Sequence, residues 1–161
     1  MTWLLIFVRE SCLAIWLGGL LVIDFVETPI RFRTPGISKE QATALGSRLF
    51  AIFGRIQLGI GIILLGVSVA IARQTSFARI DVVELILVAA MLFFAFIQAA
   101  CLTPRMLARM TLVSSENPND GGLRRHFRTL HMAYVSLDIL KILVGLALAL
   151  CVSWPYSRHI G

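Results

Sequence analysis

Four runs of about twenty apolar residues dominate this chain, each of the length an α-helix needs to cross the hydrocarbon core of a bilayer. They extend from Trp3 to Val26, Phe50 to Ala72, Ile80 to Leu102 and Leu130 to Trp154. Composition points the same way. Of 161 residues 58% are hydrophobic and 15% charged, with a mean hydropathy of +0.84, more apolar surface than a soluble domain of this size can hide. The expected fold is therefore all-α: an integral membrane four-helix bundle made of two helical hairpins, with residues 1–161 forming a single four-span domain.

The formal net charge of +6 matters less than where it lies. The connections after the first and third runs hold nine basic residues: Arg31, Arg33, Lys39, Arg48, Arg105, Arg109, Arg124, Arg125 and Arg128. The opposite side holds Arg73, Arg79 and Arg158, and the runs themselves hold Arg9, Arg55 and Lys141. By the positive-inside rule both long connections are expected in the cytoplasm and both termini outside. The expected location is the cell membrane, which in a bacterium is the inner one. Basicity of this kind is topological and argues against a nucleic-acid partner. Arg31, Arg33, Arg105, Arg109, Arg124, Arg125 and Arg128, with His131, are expected to contact anionic lipid headgroups at the inner face.

The first and third runs end alike, in ETPIRFR (Glu27 to Arg33) and LTPRMLAR (Leu102 to Arg109). A proline disfavours helical geometry in the residue before it, and Thr-Pro suits the start of a new helix. Each exit is expected to turn sharply into an interfacial segment, with Ile30, Phe32, Met106 and Leu107 dipping toward the acyl chains. SKEQ (Ser38 to Gln41) has the pattern of a capping box, and NPNDGG (Asn117 to Gly122) that of a turn followed by a helix. A helix from Lys39 to Ala72 would be about 50 Å long, so helices two and four are expected to extend into the cytoplasm.

The two Thr-Pro corners align at a fixed shift, as in a tandem repeat about an axis along the membrane normal. The polar positions within the runs do not align at that shift, so a shared corner device is an equal explanation. Ala14 with Gly18, Gly66 with Ala70, Ala95 with Ala99 and Gly145 with Ala149 are small-xxx-small pairs that allow close helix approach.

Ionisable groups within spans are costly unless paired or hydrated, so they are expected to face the bundle interior. His131, Tyr134, Asp138, Lys141 and Gly145 recur at helical steps, as do Asp81, Glu84, Val88, Met91, Ala95 and Gln98; Glu10, Leu17 and Asp24 lie a heptad apart. Matching depths suggests pairing Arg9 with Glu84, Lys141 with Glu10 or Asp138, and Arg55 with Asp138 or Asp24. The polar network is thus Arg9, Glu10, Asp24, Arg55, Glu84, Gln98, Tyr134, Asp138 and Lys141. Two roles stay open: polar fasteners that set helix packing, or a proton, ion or small-molecule site in which Asp138 or Glu10 titrates opposite Lys141.

The histidines are His126, His131 and His159. The first two fall on different faces of one helix and cannot grip a metal together, so no metal site and no cofactor is expected, although contact with a haem or pigment stays open. Cys12, Cys101 and Cys151 lie in different runs without C-x-x-C spacing, as buried small hydrophobes would. The first run lacks a basic leader and is interrupted by Arg9 and Glu10, which favours a retained helix over a secretory signal. No motif for nucleophilic, phosphate-loop or zinc chemistry is present, and the chain is expected to be non-enzymatic.

AIWLGGLLVIDFVETPIRFR (Ala14 to Arg33), LTPRM (Leu102 to Met106) and FRTLHMAYVSLDILKIL (Phe127 to Leu143) resemble the membrane family called domain of unknown function 4149, related to the animal transmembrane protein 205. That resemblance implies four spans with longer inner connections and carries over no catalytic residue. The WLGG opening is more distantly similar to copper-resistance D proteins and the four-helix protoporphyrinogen oxidase, but the histidine those families place near the first span is missing. The expected role is a small subunit or stabiliser of a larger membrane assembly, whose partners are lipid and other membrane protein subunits. A small proton- or ion-linked transporter is the alternative, followed by a haem- or redox-associated protein.

Overall fold

A computed structural model describes residues 2–108 and 121–157, and among them the chain is helical apart from short connections. Helix α1 starts as Thr2–Leu21 and continues through a π-helical turn, Val22–Glu27, into a last segment, Thr28–Arg33. Helix α2 spans Lys39–Gln74. Helix α3 repeats the plan of α1: Arg79–Ile97, a π-helical turn at Gln98–Leu102, then helix over residues 103–108. Helix α4 spans Gly121–Ser157. Among the described residues four helices are long and apolar enough to cross a membrane, over Trp3–Arg33, Gln41–Gln74, Arg79–Ala108 and Arg128–Ser153.

The sharp corners expected at Thr-Pro do not occur. Thr28 and Thr103 keep helical dihedrals, at φ −58°, ψ −51° and φ −59°, ψ −48°. A proline inside a helix has no N–H to give and its ring crowds the carbonyl four residues back. Here the turn before each proline widens. The Thr28 N–H bonds the Ile23 carbonyl, five residues back, and the Thr103 N–H bonds that of Gln98. Helices α1 and α3 therefore run past their apolar segments, so long extensions are not confined to α2 and α4.

The links have local causes. Thr34 leaves the helix with ψ 122°, and Gly36 takes φ 83°, a conformation that favours glycine. Ser38 then caps α2 reciprocally with Gln41: the Gln41 N–H donates to Ser38 Oγ at 3.2 Å and the Ser38 N–H to Gln41 Oε1 at 3.0 Å. Between α2 and α3, Ser76 and Phe77 sit at φ 54° and 56°; Thr75 Oγ1 donates to Asp81 Oδ2 at 2.5 Å, tying that turn to the next helix. NPNDGG lies mostly outside the described residues; only its glycines, which open α4, fall within them.

Each helix packs against two neighbours in the order α1, α2, α3, α4 and back to α1, leaving α1 with α3 and α2 with α4 as diagonals. The buried positions Arg9, Leu13, Trp16 and Leu20 of α1 correspond to Glu84, Val88, Met91 and Ala95 of α3, at a separation of 75 residues. Those of α2, namely Phe50, Gly54, Gln57, Gly61, Leu64 and Ser68, correspond to Tyr134, Asp138, Lys141, Gly145, Leu148 and Val152 of α4, at a separation of 84. Equivalent residues meet across the diagonals: Arg9 with Glu84, Gln57 with Lys141, and Phe50 with Tyr134, whose ring centroids are 5.1 Å apart. That is the signature of a two-fold pseudo-axis along the bundle. A single shift for the whole chain hides the repeat because the two halves have links of different length.

Candidate functional site

The interior is layered. Nearest the termini, Arg9 Nη1 lies 3.1 Å from Glu84 Oε2, Ser68 Oγ donates to Glu84 Oε1 at 2.7 Å, and Arg9 Nη2 lies 3.2 Å from Glu10 Oε1. An apolar layer follows, built on Leu13, Trp16, Leu64, Val88, Met91 and Leu148. Gly61 is required here, since a Cβ on it would come within 2.7 Å of Leu92 and 2.8 Å of Trp16. Gly145 likewise admits Leu17.

The second polar layer centres on Lys141, which has no solvent exposure. Its ammonium lies 2.7 Å from Asp138 Oδ1 and donates to Gln57 Oε1 and Gln98 Oε1, each at 2.5 Å. Gln98 Nε2 in turn donates to Asp138 Oδ1 at 3.0 Å and to the Tyr134 carbonyl at 2.9 Å. Three donors on Lys141 thus meet three acceptors from three helices, and one carboxylate balances its charge. A buried cation is tolerable in hydrocarbon only when every donor is used and its charge is compensated. Beyond this layer Phe50, Tyr134 and Met106 form a small apolar cluster.

Asp24 stands apart. It is half-buried on the π-helical turn of α1, within electrostatic range of Asp138 and Lys141, yet among the described residues it makes neither an ion pair nor a hydrogen bond. Gln57 Nε2 and Trp16 Nε1 are also buried without an acceptor among the described residues.

The family described as Domain of unknown function (DUF4149) matches residues 11–113. The chain belongs to this family. No curated protein and no solved structure matches it. The DUF4149 match takes in most of α1, all of α2 and the described part of α3, and it ends before α4; the likeness of Phe127 to Leu143 lies beyond it. Of the three side chains around the central cation, Gln57 and Gln98 fall inside the matched region, while Asp138 falls outside it, as does Lys141 itself.

Several positions differ from expectation. Arg55 does not pair with Asp138 or Asp24; it is exposed, and Gln57, two residues on, points inward instead. Glu10 is 45% exposed at its side chain and holds Arg9 rather than Lys141, because Arg9, one residue earlier, carries the inward stripe of α1. Tyr134 enters through its ring and its carbonyl, not as a charged partner.

Ser68, which a reading based on charged groups passes over, continues the inward steps Gln57, Gly61 and Leu64. Cys101 is exposed, unlike a buried hydrophobe, while Cys12 and Cys151 are half-buried. Ala14 and Gly66 face outward, and nothing lies within 4 Å of a Cβ built on Gly18 or Gly66, so these pairs do not pack the bundle itself.

Arg33, Arg105, Arg125 and Arg128 are exposed, open to headgroups at the surface. Arg31 is not: it is buried, 3.1 Å from Glu27, with its guanidinium 5.9 Å from the Phe50 ring centroid. Once α1 passes Pro29, Arg31 falls on the same inward stripe as Arg9, Trp16 and Leu20. Met106, expected to dip into acyl chains, is buried at the equivalent place on α3. His131 is half-buried and His126 exposed. Arg109, Arg158 and His159 lie outside the described residues, as does the side chain of Arg124. Among the described residues no group of three His, Cys, Asp or Glu is placed to hold a metal ion.

Proposed function

We propose that this multi-pass membrane protein is a non-enzymatic subunit or stabiliser of a larger assembly, set in a cell membrane with both termini outside. The observation that carries the reading is the outward set of small residues, Ala14, Gly18, Gly59 and Gly66, of which the three glycines have nothing within 4 Å of a built Cβ. Small outward residues let a neighbouring helix approach its backbone, which is how helices associate where hydrophobicity offers no drive. Saturation of Lys141 supports the same view, since a cation with all donors engaged fastens helices instead of handling substrate. Extraction in mild detergent followed by mass measurement tests it. The chain is expected with partner chains attached, and Gly18→Ile with Gly66→Ile is expected to release them. Recovery of a lone monomer from native membrane refutes the reading.

Asp24 favours a second reading, a proton- or cation-linked carrier. It is a half-buried carboxylate without hydrogen bond or ion pair among the described residues, placed on a π-helical turn of the kind often found at functional sites. Such a carrier would show a pH-driven flux in reconstituted vesicles that Asp24→Asn abolishes while helicity is kept. Flux unchanged in Asp24→Asn counts against it.

A further inference from the structure

At the Thr-Pro end of the bundle a cleft of about 100 Å³ opens among Arg31, Thr43, Ser47, Phe50, Met106 and His131. This volume holds several water molecules or one small oxyanion. We propose that it binds the phosphodiester of a phospholipid headgroup, with Arg31 as its fixed cation, whether or not the chain joins an assembly.

Arg31 is 94% buried by its 6% relative exposure, and neither its Nε nor its Nη1 donates a hydrogen bond among the described residues. Glu27 approaches Nη1 to 3.1 Å without hydrogen-bonding geometry, so it compensates charge without using the donors. A buried guanidinium with idle donors is costly, and the oxygens of a phosphate accept from such a fork with good geometry.

The side chain is held in place by shape. Its guanidinium rests against Gly46 so closely that any Cβ there would collide with it, and Phe32 and Phe50 flank it at 5.4 and 5.9 Å. Thr43 Oγ1 donates to the Lys39 carbonyl at 2.7 Å, so it faces the cleft as an acceptor. An acceptor beside a cation suits a headgroup that pairs its phosphate with hydroxyl or ammonium donors, such as phosphoglycerol or phosphoethanolamine. Apolar walls from Phe32, Phe50 and Met106 at the end of membrane-crossing helices favour a lipid over a soluble phosphate.

Native mass spectrometry of the full chain in detergent, titrated with phosphatidylglycerol, tests the site. One retained lipid per chain is expected. Affinity should fall about tenfold or more in Gly46→Leu, which displaces the guanidinium while keeping its charge, and in the charge-neutral double variant Glu27→Gln/Arg31→Gln. Arg33→Gln and Arg105→Gln, which remove exposed charges at the same end, should change it less than about twofold. Equal losses across all four variants would indicate diffuse attraction and overturn the site. Competition on the unmodified protein needs no variant to fold: inorganic phosphate at millimolar concentration should leave the lipid bound, and its displacement of the lipid would overturn the lipid assignment in favour of free phosphate.

Discussion

At matched depth the first half of the bundle places Ile23 and Gly54 where the second half places Gln98 and Asp138. Near the Thr-Pro end the relation reverses, with Arg31 in the first half standing opposite Met106 in the second, both buried. The apolar framework obeys the pseudo-two-fold while the polar side chains break it. Leu64 matches Leu148 and Gly61 matches Gly145, because close-packed interiors tolerate little variation in volume at equivalent places. Polar groups follow a different rule. A charge in the core needs a counter-charge and acceptors, and one such set per depth is enough, so Lys141 takes Gln57 from its own equivalent position.

The comparison is sharpest where it would cost most to break. Lys141→Met leaves the Asp138 carboxylate buried without its cation and is expected to destabilise the bundle by about 3–5 kcal/mol. Adding Asp138→Asn should recover much of that loss, which denaturant or thermal unfolding in detergent would reveal. If the double variant is no better than the single one, the pair does not balance itself and another charge joins the layer.

Packing is the next largest effect. Gly61→Ala forces a methyl against Trp16 and Leu92 and should cost about 1–3 kcal/mol, whereas Gly66→Ala, with nothing near its Cβ, should be neutral or gain up to about 1 kcal/mol of helix propensity. Both are read from unfolding midpoints. On the chain freed of its partners, a cost at Gly66 equal to that at Gly61 would mean that the outer face of α2 packs against the bundle itself, whereas a cost seen only in the assembly would mark the seat of a partner.

Smallest is the difference between the two threonines. Thr28 Oγ1 donates to the Ile23 carbonyl at 2.9 Å, while Thr103 Oγ1 is buried without a hydrogen bond among the described residues. Thr28→Val should cost about 0.5–1.5 kcal/mol, and Thr103→Val should cost nothing or stabilise. Matching losses at both would show that the Thr103 hydroxyl has a bound partner.

Part of the site is legible in the sequence. Inward stripes on α3 and α4 follow from helical spacing, because a polar residue in a lipid-bound helix must turn toward the bundle. Arg9 and Glu84 share a depth and meet. Arg55 misled because depth places a residue along a helix but not around it, and Gln57 lies on the inward side instead. Arg31 misled for another reason. Proline is expected to end a helix, which would leave the residues after Pro29 on an open interfacial segment, yet the π-helical turn lets α1 continue and carries Arg31 into the wall of a cleft.

The sequence by itself determined the element type and number, because lipid leaves a backbone no partner but its own helix and the four apolar runs are unambiguous. It also fixed the capping of α2 and the family. Only the tertiary structure decided which equivalent residues face each other, that one cation is shared by three helices, and that Arg31 lines a cleft. Those outcomes depend on the rotation of each helix about its axis and on the order of packing, which local spacing constrains on one helix at a time but never between two.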